Sequence, residues 1–347
     1  MAKLSNISGR TWVSIVTAVL LLVIIYSSRE ELRQAWDLLW KVDLWKLSLI
    51  IPLQILSYFA AAEAMFSYLR QKGPVKASPW ERTKMALELN FVNHILPSAG
   101  VSGASYMTWR LKKIGITAGR GTIAQVIRLA VTFAGFLLLL MLSVIIITFD
   151  DGISRFTLLV SSGLASTIIF ALLAAIYFLS SDARLRSASR FSSRMINSFG
   201  RKLLRRKKPF VKERKITQYF EELHDDYKAI SRDWRLLKVP LIWGVIFTLA
   251  DVGMFWVTFW ALGVPINPAP LLIGYGLAVI AGAFFITPGG AGGYEVLMIA
   301  FLSTTGINGG VIVAGVLLTR MLLIAGTIIT GYIFYQQALV KYGKRPA

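Results

Sequence analysis

Six stretches of the chain are long and apolar enough to cross a bilayer, and no other feature constrains the fold as strongly. They cover residues 11–27, 44–69, 121–149, 156–180, 239–262 and 309–336. A spanning helix needs about 20 predominantly apolar residues. Hydrocarbon offers the backbone no partners, so each segment must satisfy its own N–H and C=O groups as a helix. Two further apolar stretches, 84–110 and 270–305, are interrupted near their middles by Pro and Gly. The expectation is an all-α polytopic membrane protein. A soluble domain carries about a quarter charged residues. Here 16% are charged, and they cluster between the apolar runs. Lys3 and Arg10 precede the first run, and no small-x-small pattern follows Ser27-Ser28-Arg29-Glu30. That run is expected to be a retained helix, not a cleaved signal.

The connecting segments orient the runs, because cytoplasmic connections are enriched in Lys and Arg. Residues 28–46 balance four basic against four acidic side chains and are expected outside. Residues 70–84 and 110–120 are basic and are expected inside. The stretch 84–110 then enters and leaves on the cytoplasmic side. Residues 150–155 fall outside, 181–238 inside, 263–268 outside and the C-terminus inside. By the same reasoning 270–305 enters and leaves on the opposite side. The prediction is six full spans plus two oppositely oriented re-entrant hairpins. One repeat covers 44–149 and a second, inverted one covers 239–336. Inverted repeats with broken helices are a signature of transporters. The alternative is two kinked hairpins that each cross fully.

The net charge of +20 would suggest nucleic acid in a soluble chain. Here the basic residues lie between membrane runs, and an anionic cytoplasmic leaflet is the expected partner. The insertion 181–238 holds 17 basic and 7 acidic residues. Phe191, Met195, Phe199 and Leu203 recur every four residues among arginines and predict a basic amphipathic helix on the membrane surface. Ile216, Phe220, Leu223, Tyr227, Ile230, Trp234 and Leu237 predict a second amphipathic helix. The chain has no cysteine and two histidines, His94 and His224. These exclude a disulfide framework and thiol chemistry and leave no metal cluster. No cofactor is expected. Nothing matches an NTP loop, a nucleophile elbow or a zinc helix.

The interrupted stretches carry the candidate chemistry. The first places Glu88, Asn90, Asn93 and His94 before Pro97, with Ser98, Gly100, Ser102 and Ser105 after it. A helix restarting there presents free N–H groups that suit a phosphate or carboxylate. Tight packing through small residues explains the same pattern without a ligand. The second reads Pro288-Gly289-Gly290-Ala291-Gly292-Gly293-Tyr294-Glu295. Glu295 falls in the first turn after the break, where it either caps the helix or gates and couples transport. Asp251 lies within a span and is a further coupling candidate.

Arg128 and Arg320 sit inside spans, 31 residues after Pro97 and 32 after Pro288. Equivalent places in two inverted repeats would bring both guanidiniums toward the centre. Arginine suits bidentate phosphate binding. Alternatively each neutralises an internal acid, Glu295, Glu88, Asp251 or Glu63, or Arg128 snorkels to the interface.

The Pro288–Glu295 motif, the Asn90…Pro97…Gly100 break followed by Arg110, and the basic insertion together resemble the lysylphosphatidylglycerol synthase transmembrane-region family. The resemblance covers nearly the whole chain and implies a flippase-like membrane protein. In some members this region is fused to an aminoacyl-lipid synthase domain. Here the chain ends at Ala347, so a stand-alone member is expected. One departure stands out: the family's first motif places an acid after the glycines, where this chain has Gly103-Ala104-Ser105.

The functional expectation is a transporter moving an anionic or polyprenyl-phosphate-linked lipid between leaflets of a prokaryotic plasma membrane, without nucleic acid. Whether it forms a homodimer stays open. The substrate-binding candidates are Arg128, Arg320, Asn90, Asn93, Ser98, Gly100, Ser102, Ser105, Gly289, Gly290 and Gly292. The coupling or gating candidates are Glu295, Glu88, His94 and Asp251. The rivals are a lipid-headgroup transferase, with Glu88, His94 or Glu295 as base, and a small-anion or ion transporter.

Overall fold

In the computed structural model, the described residues are 40, 42–96, 100–150, 155–181, 183, 184, 187, 213–285 and 287–343. The first expected span, the Phe191–Leu203 amphipathic segment, Pro97 and Ser98 lie outside them. The described residues form α-helices joined by short turns, with no strand among them.

A short helix, α1 (Leu44–Ser48), leads through Leu49 into α2 (Ile50–Gln71). Pro52 and Pro240 each lie in the first turn of their helix, where the missing N–H has no intrahelical partner to lose. Two shorter helices follow, α3 (Pro79–Ile95) and α4 (Val101–Lys113), then the long α5 (Ala118–Asp150) and α6 (Arg155–Leu179). Helix α7 (Glu213–Arg232) precedes a 3₁₀ turn at Trp234–Leu237 and α8 (Lys238–Ala261). Next come α9 (Pro268–Phe284), a turn at Pro288–Gly290, α10 (Gly293–Leu302) and the long α11 (Gly309–Tyr342).

Five helical segments are long and apolar enough to cross a membrane: Leu44–Gln71, Ala118–Phe149, Arg155–Leu179, Trp234–Ala261 and Gly309–Tyr342. They coincide with five of the six expected spans. The second amphipathic helix stops earlier than the apolar periodicity suggests. Asp233 accepts from the Arg235 N–H and starts a separate turn, so Trp234 and Leu237 belong to the entry of α8.

Helices α3 and α9 are each 17 residues long. At 1.5 Å per residue each covers about 25 Å, less than the hydrocarbon thickness of about 30 Å. Both start on sharp sequence signals. Ser78 Oγ accepts from the Glu81 N–H while Glu81 accepts from the Ser78 N–H, with Pro79 at the first position. Asn267 caps α9 through the Ala269 N–H, with Pro268 at the first position.

The contacts place these pieces at two ends of the bundle. At one end, Lys341 approaches Glu81 at 4.0 Å, Gln71 bonds the Leu236 carbonyl, and Thr117 donates to Glu222 of α7. The pair α3–α4 therefore begins and ends there. At the other end, the Asp43 N–H donates to the Ala261 carbonyl, and Val264, Pro265, Leu302 and Ile147 border a common hollow. The pair α9–α10 begins and ends at that opposite end.

The centre is held by close backbone approach. A Cβ at Gly244 of α8 would lie 2.5 Å from the Val131 carbonyl oxygen, and one at Gly135 of α5 would lie 2.8 Å from the Val245 nitrogen. Only glycines permit that crossing, the usual device where helices associate without a hydrophobic driving force. The apolar core lies around it, with Phe136, Phe255, Phe259, Met298 and Leu302 in one cluster and Met65, Phe66, Tyr68, Met85 and Met107 in another. The outer faces of α5 and α6 leave Phe149, Leu159 and Phe170 uncovered. In water that would be an interaction surface; in a bilayer it is the lipid-facing side.

Candidate functional site

The interruptions in the two short helix pairs meet. Helix α3 ends at Ile95, and α4 restarts after Gly100, whose φ of +85° lies in the left-handed region. Asn93 spans this break by accepting the Gly103 N–H at 2.9 Å, and the Asn90 side chain donates to the Ala86 carbonyl. His94 Nδ1 donates to the Asn90 carbonyl at 2.8 Å. The His94 ring then packs directly on Gly289 of the second interruption, where a Cβ would lie 2.6 Å from its Cδ2. Gly289, Gly290 and Gly292 all have positive φ. Gly290 also abuts the Gly282 backbone, where a Cβ would approach within 2.7 Å. Glycine is required here both for chirality and for space.

Glu295 joins two sets of partners. Its Oε2 accepts the Gly292 N–H at 2.7 Å, which caps α10. Its Oε1 accepts from Arg320 Nε at 2.7 Å. Arg320 Nη2 also donates to the Gly289 carbonyl at 2.9 Å, and its guanidinium lies 4.1 Å from the Tyr294 ring centre. The side chains are 11% and 14% exposed for Arg320 and Glu295, so the pair is largely desolvated. One acid thus orders the helix start, the glycine turn and the arginine.

A cavity of about 270 Å³ opens beside this arrangement. Arg128 and Thr132 of α5, Asp251 of α8, Tyr275 of α9, Tyr294 of α10 and Arg320 of α11 supply its polar lining. Phe133, Phe136, Phe247 and Phe255 supply apolar walls. Arg128 and Arg320 therefore border one space. Asp251 Oδ1 accepts from Ser57 at 2.5 Å and Oδ2 from Tyr275 at 2.9 Å, which joins α2, α8 and α9. Arg128 Nε is buried and has no hydrogen-bond partner among the described residues.

The other candidates lie elsewhere. Glu88 accepts from Arg110 Nε at 2.9 Å and from the Tyr106 hydroxyl at 2.8 Å, with Arg110 4.6 Å from the centre of the Tyr342 ring. Glu63, 3% exposed, accepts from both Arg70 and Arg82. Ser102 and Ser105 lie in the first turns of α4, and Ser105 is exposed. None of Glu88, His94, Glu295, Ser102 or Ser105 is among the cavity-lining residues. Sequence reading singled out neither Tyr275 nor Ser57. The available signal was a lone tyrosine in the otherwise apolar run that faces Asp251.

Uncovered apolar faces, helices of spanning length and a polar cavity between them define a polytopic helical membrane protein. The chain belongs to the family described as the lysylphosphatidylglycerol synthase TM region, whose model matches residues 11–331. Neither a curated protein nor a solved structure matches the chain.

Proposed function

We propose that the protein moves an anionic or polyprenyl-phosphate-linked lipid between membrane leaflets, with the headgroup passing through the Arg128–Arg320 cavity and the tails staying in lipid. The observation that carries this reading is the convergence of two arginines from α5 and α11 on one cavity beside the glycine turn. Arg128 lies ten residues into α5 and Arg320 eleven into α11. These positions are about 15 Å along each helix, inside two segments of membrane-spanning length. A charged side chain at that depth is costly and marks a polar path. The short pairs α3–α4 and α9–α10, which begin and end at opposite ends of the bundle, support two re-entrant hairpins in inverted repeats. Broken helices of that kind line substrate sites in transporters. In this reading the basic insertion collects anionic lipid at the cytoplasmic leaflet, and gating involves parting the Glu295–Arg320 pair. Family membership supports lipid handling.

The test is a reconstitution. Vesicles carry fluorescent phosphatidylglycerol in both leaflets, and a membrane-impermeant quencher is added outside. Loss of more than half the signal with the wild-type chain, and loss of only half with the Arg128→Ala/Arg320→Ala double variant, is the expected result. A double variant that moves lipid at the wild-type rate overturns the reading. The rival transferase requires chemistry on lipid in detergent micelles, where there are no leaflets.

A further inference from the structure

Arg128 and Arg320 border one cavity, but among the described residues only Arg320 is held by an acid. Its Nε donates to Glu295 and its Nη2 to the Gly289 carbonyl. Arg128 Nε is buried with no partner among the described residues. The sequence accounts for the difference. Glu295 stands seven residues after Pro288, and the residue seven after Pro97 is Ala104. Gln125 of α5 donates to Thr108 of α4 at 3.2 Å, which sets the register of these two helices. One turn further toward the break lie Ala104 on α4 and Arg128 on α5. By that register, and by their spacing from Pro97, they correspond to Glu295 on α10 and Arg320 on α11. The first pair thus lacks the acid that the second pair uses.

The other acid of the cavity does not replace it. Asp251 accepts from the hydroxyls of Ser57 and Tyr275, and no hydrogen bond from Arg128 Nε reaches it among the described residues. A buried, unsatisfied guanidinium nitrogen beside a cavity calls for an explanation. A ligand that brings its own negative charge supplies one. The cavity, at about 270 Å³, is larger than a bare ion requires and suits a headgroup. Its hydroxyls and aromatic walls fit an ester substituent beside the charge.

We infer that Arg128 is the anion-binding group of the cavity, that it takes the oxyanion of a phosphate or phosphate ester, and that Arg320 is a positioning residue held by Glu295. The inference deepens the transport reading and rests on it for a lipid-linked occupant; the binding itself is testable without transport.

The experiment uses the full chain in detergent, with thermal unfolding followed by tryptophan fluorescence. The probes are dihexanoyl-phosphatidylglycerol, inorganic phosphate and uncharged dihexanoylglycerol. A saturable rise in Tm with a phosphate-bearing probe, and none with dihexanoylglycerol, is expected. Arg128→Gln should weaken that response about tenfold or more, the worth of one charge-assisted hydrogen bond. Ala104→Glu, which supplies the missing acid, should weaken it comparably with Arg128 intact, while Ala104→Gln should not. These two variants keep the inference testable where Arg128→Gln fails to fold. A stronger response to the lipid than to phosphate identifies a headgroup; the reverse identifies a free anion. No saturable response, or an unchanged response in both Arg128→Gln and Ala104→Glu, overturns the inference. Arg128-dependent binding without lipid movement in vesicles leaves this site standing and removes the transport reading. Lipid movement with unaltered binding by Arg128→Gln does the opposite.

Discussion

Glu295 and Gly292 are joined by a 2.7 Å hydrogen bond from the glycine N–H, while the other oxygen of the same carboxylate holds Arg320 at 2.7 Å. Capping and charge neutralisation are therefore one interaction set, and a substitution at Glu295 touches both. The energetics of such a desolvated pair are asymmetric. Removing one partner strands the other, at about 3–5 kcal/mol, whereas replacing both with apolar groups is often close to neutral.

The two roles of Glu295 separate by substitution. Glu295→Gln keeps an acceptor for the Gly292 N–H but removes the charge opposite Arg320. Arg320→Met leaves Glu295 without its cation. Each single variant should lower the unfolding midpoint in detergent, and the Glu295→Gln/Arg320→Met double variant should be less destabilised than the sum of the two. Strict additivity would show that the pair contributes no coupling.

Two glycines on α8 should respond in opposite ways to alanine. At Gly244 the new Cβ would meet the Val131 carbonyl at 2.5 Å, and α5 must move away. The expected loss is about 1–3 kcal/mol. At Gly253 the nearest atoms belong to Leu53 at 3.6 Å, an ordinary contact. Gly253→Ala should be neutral or stabilising, because alanine favours a helix over glycine by about 0.5–1 kcal/mol. Thermal unfolding of the two variants side by side checks this.

At Gly289 a positive φ of 62° and the His94 ring act together. Gly289→Ala incurs left-handed backbone strain of about 1–2 kcal/mol and a clash with the ring. His94→Ala in the same chain should relieve the clash and leave the backbone term. Partial recovery of the unfolding midpoint is the expected outcome, and no recovery would mean that the ring yields freely.

Glu63 separates two arginines by burial. Arg82 is 11% exposed at its side chain and Arg70 38%. Arg82→Ala leaves Glu63, itself nearly buried, without its less exposed partner and should cost several kcal/mol. Arg70→Ala should cost under about 1 kcal/mol, because its exposed guanidinium is screened. Equal losses in the two variants would contradict this ranking.

Much of the helical layout is legible in the sequence, for reasons specific to a membrane chain. Runs such as 121–149 and 156–180 must satisfy their own backbone, so apolar length alone locates α5 and α6. Pro79 and Pro268 mark helix starts because ring geometry forbids them further in. The site was legible only in part. Spacing from Pro97 and Pro288 singles out Arg128 and Arg320, but the ion pair of Arg320 with Glu295 shows only in the packing of α10 on α11. The absent acid at Gly103-Ala104-Ser105 is legible as a departure from the family motif, but the sequence does not show which arginine it leaves without a partner. Asp251 reads as an isolated acid, because Ser57 and Tyr275 come from helices far apart in the chain. Glu88 and His94 looked alike as polar residues beside a break. The structure pairs one with Arg110 and sets the other against Gly289.

The two longest helices have a consequence for the surrounding lipid. Helices α5 and α11 run 33 and 34 residues, about 50 Å at 1.5 Å per residue, while the hydrocarbon layer measures about 30 Å. Their surplus length lies beyond the acyl chains, and Lys341 of α11 meets Glu81 there, with both side chains well exposed. A thicker or thinner bilayer is then accommodated by tilt of these two rods. The glycine crossing at 135 and 244 ties the tilt of α5 to α8. Arg128 and Arg320 sit one on each rod and border one cavity, so a tilt that answers bilayer thickness also alters the spacing of the two guanidiniums.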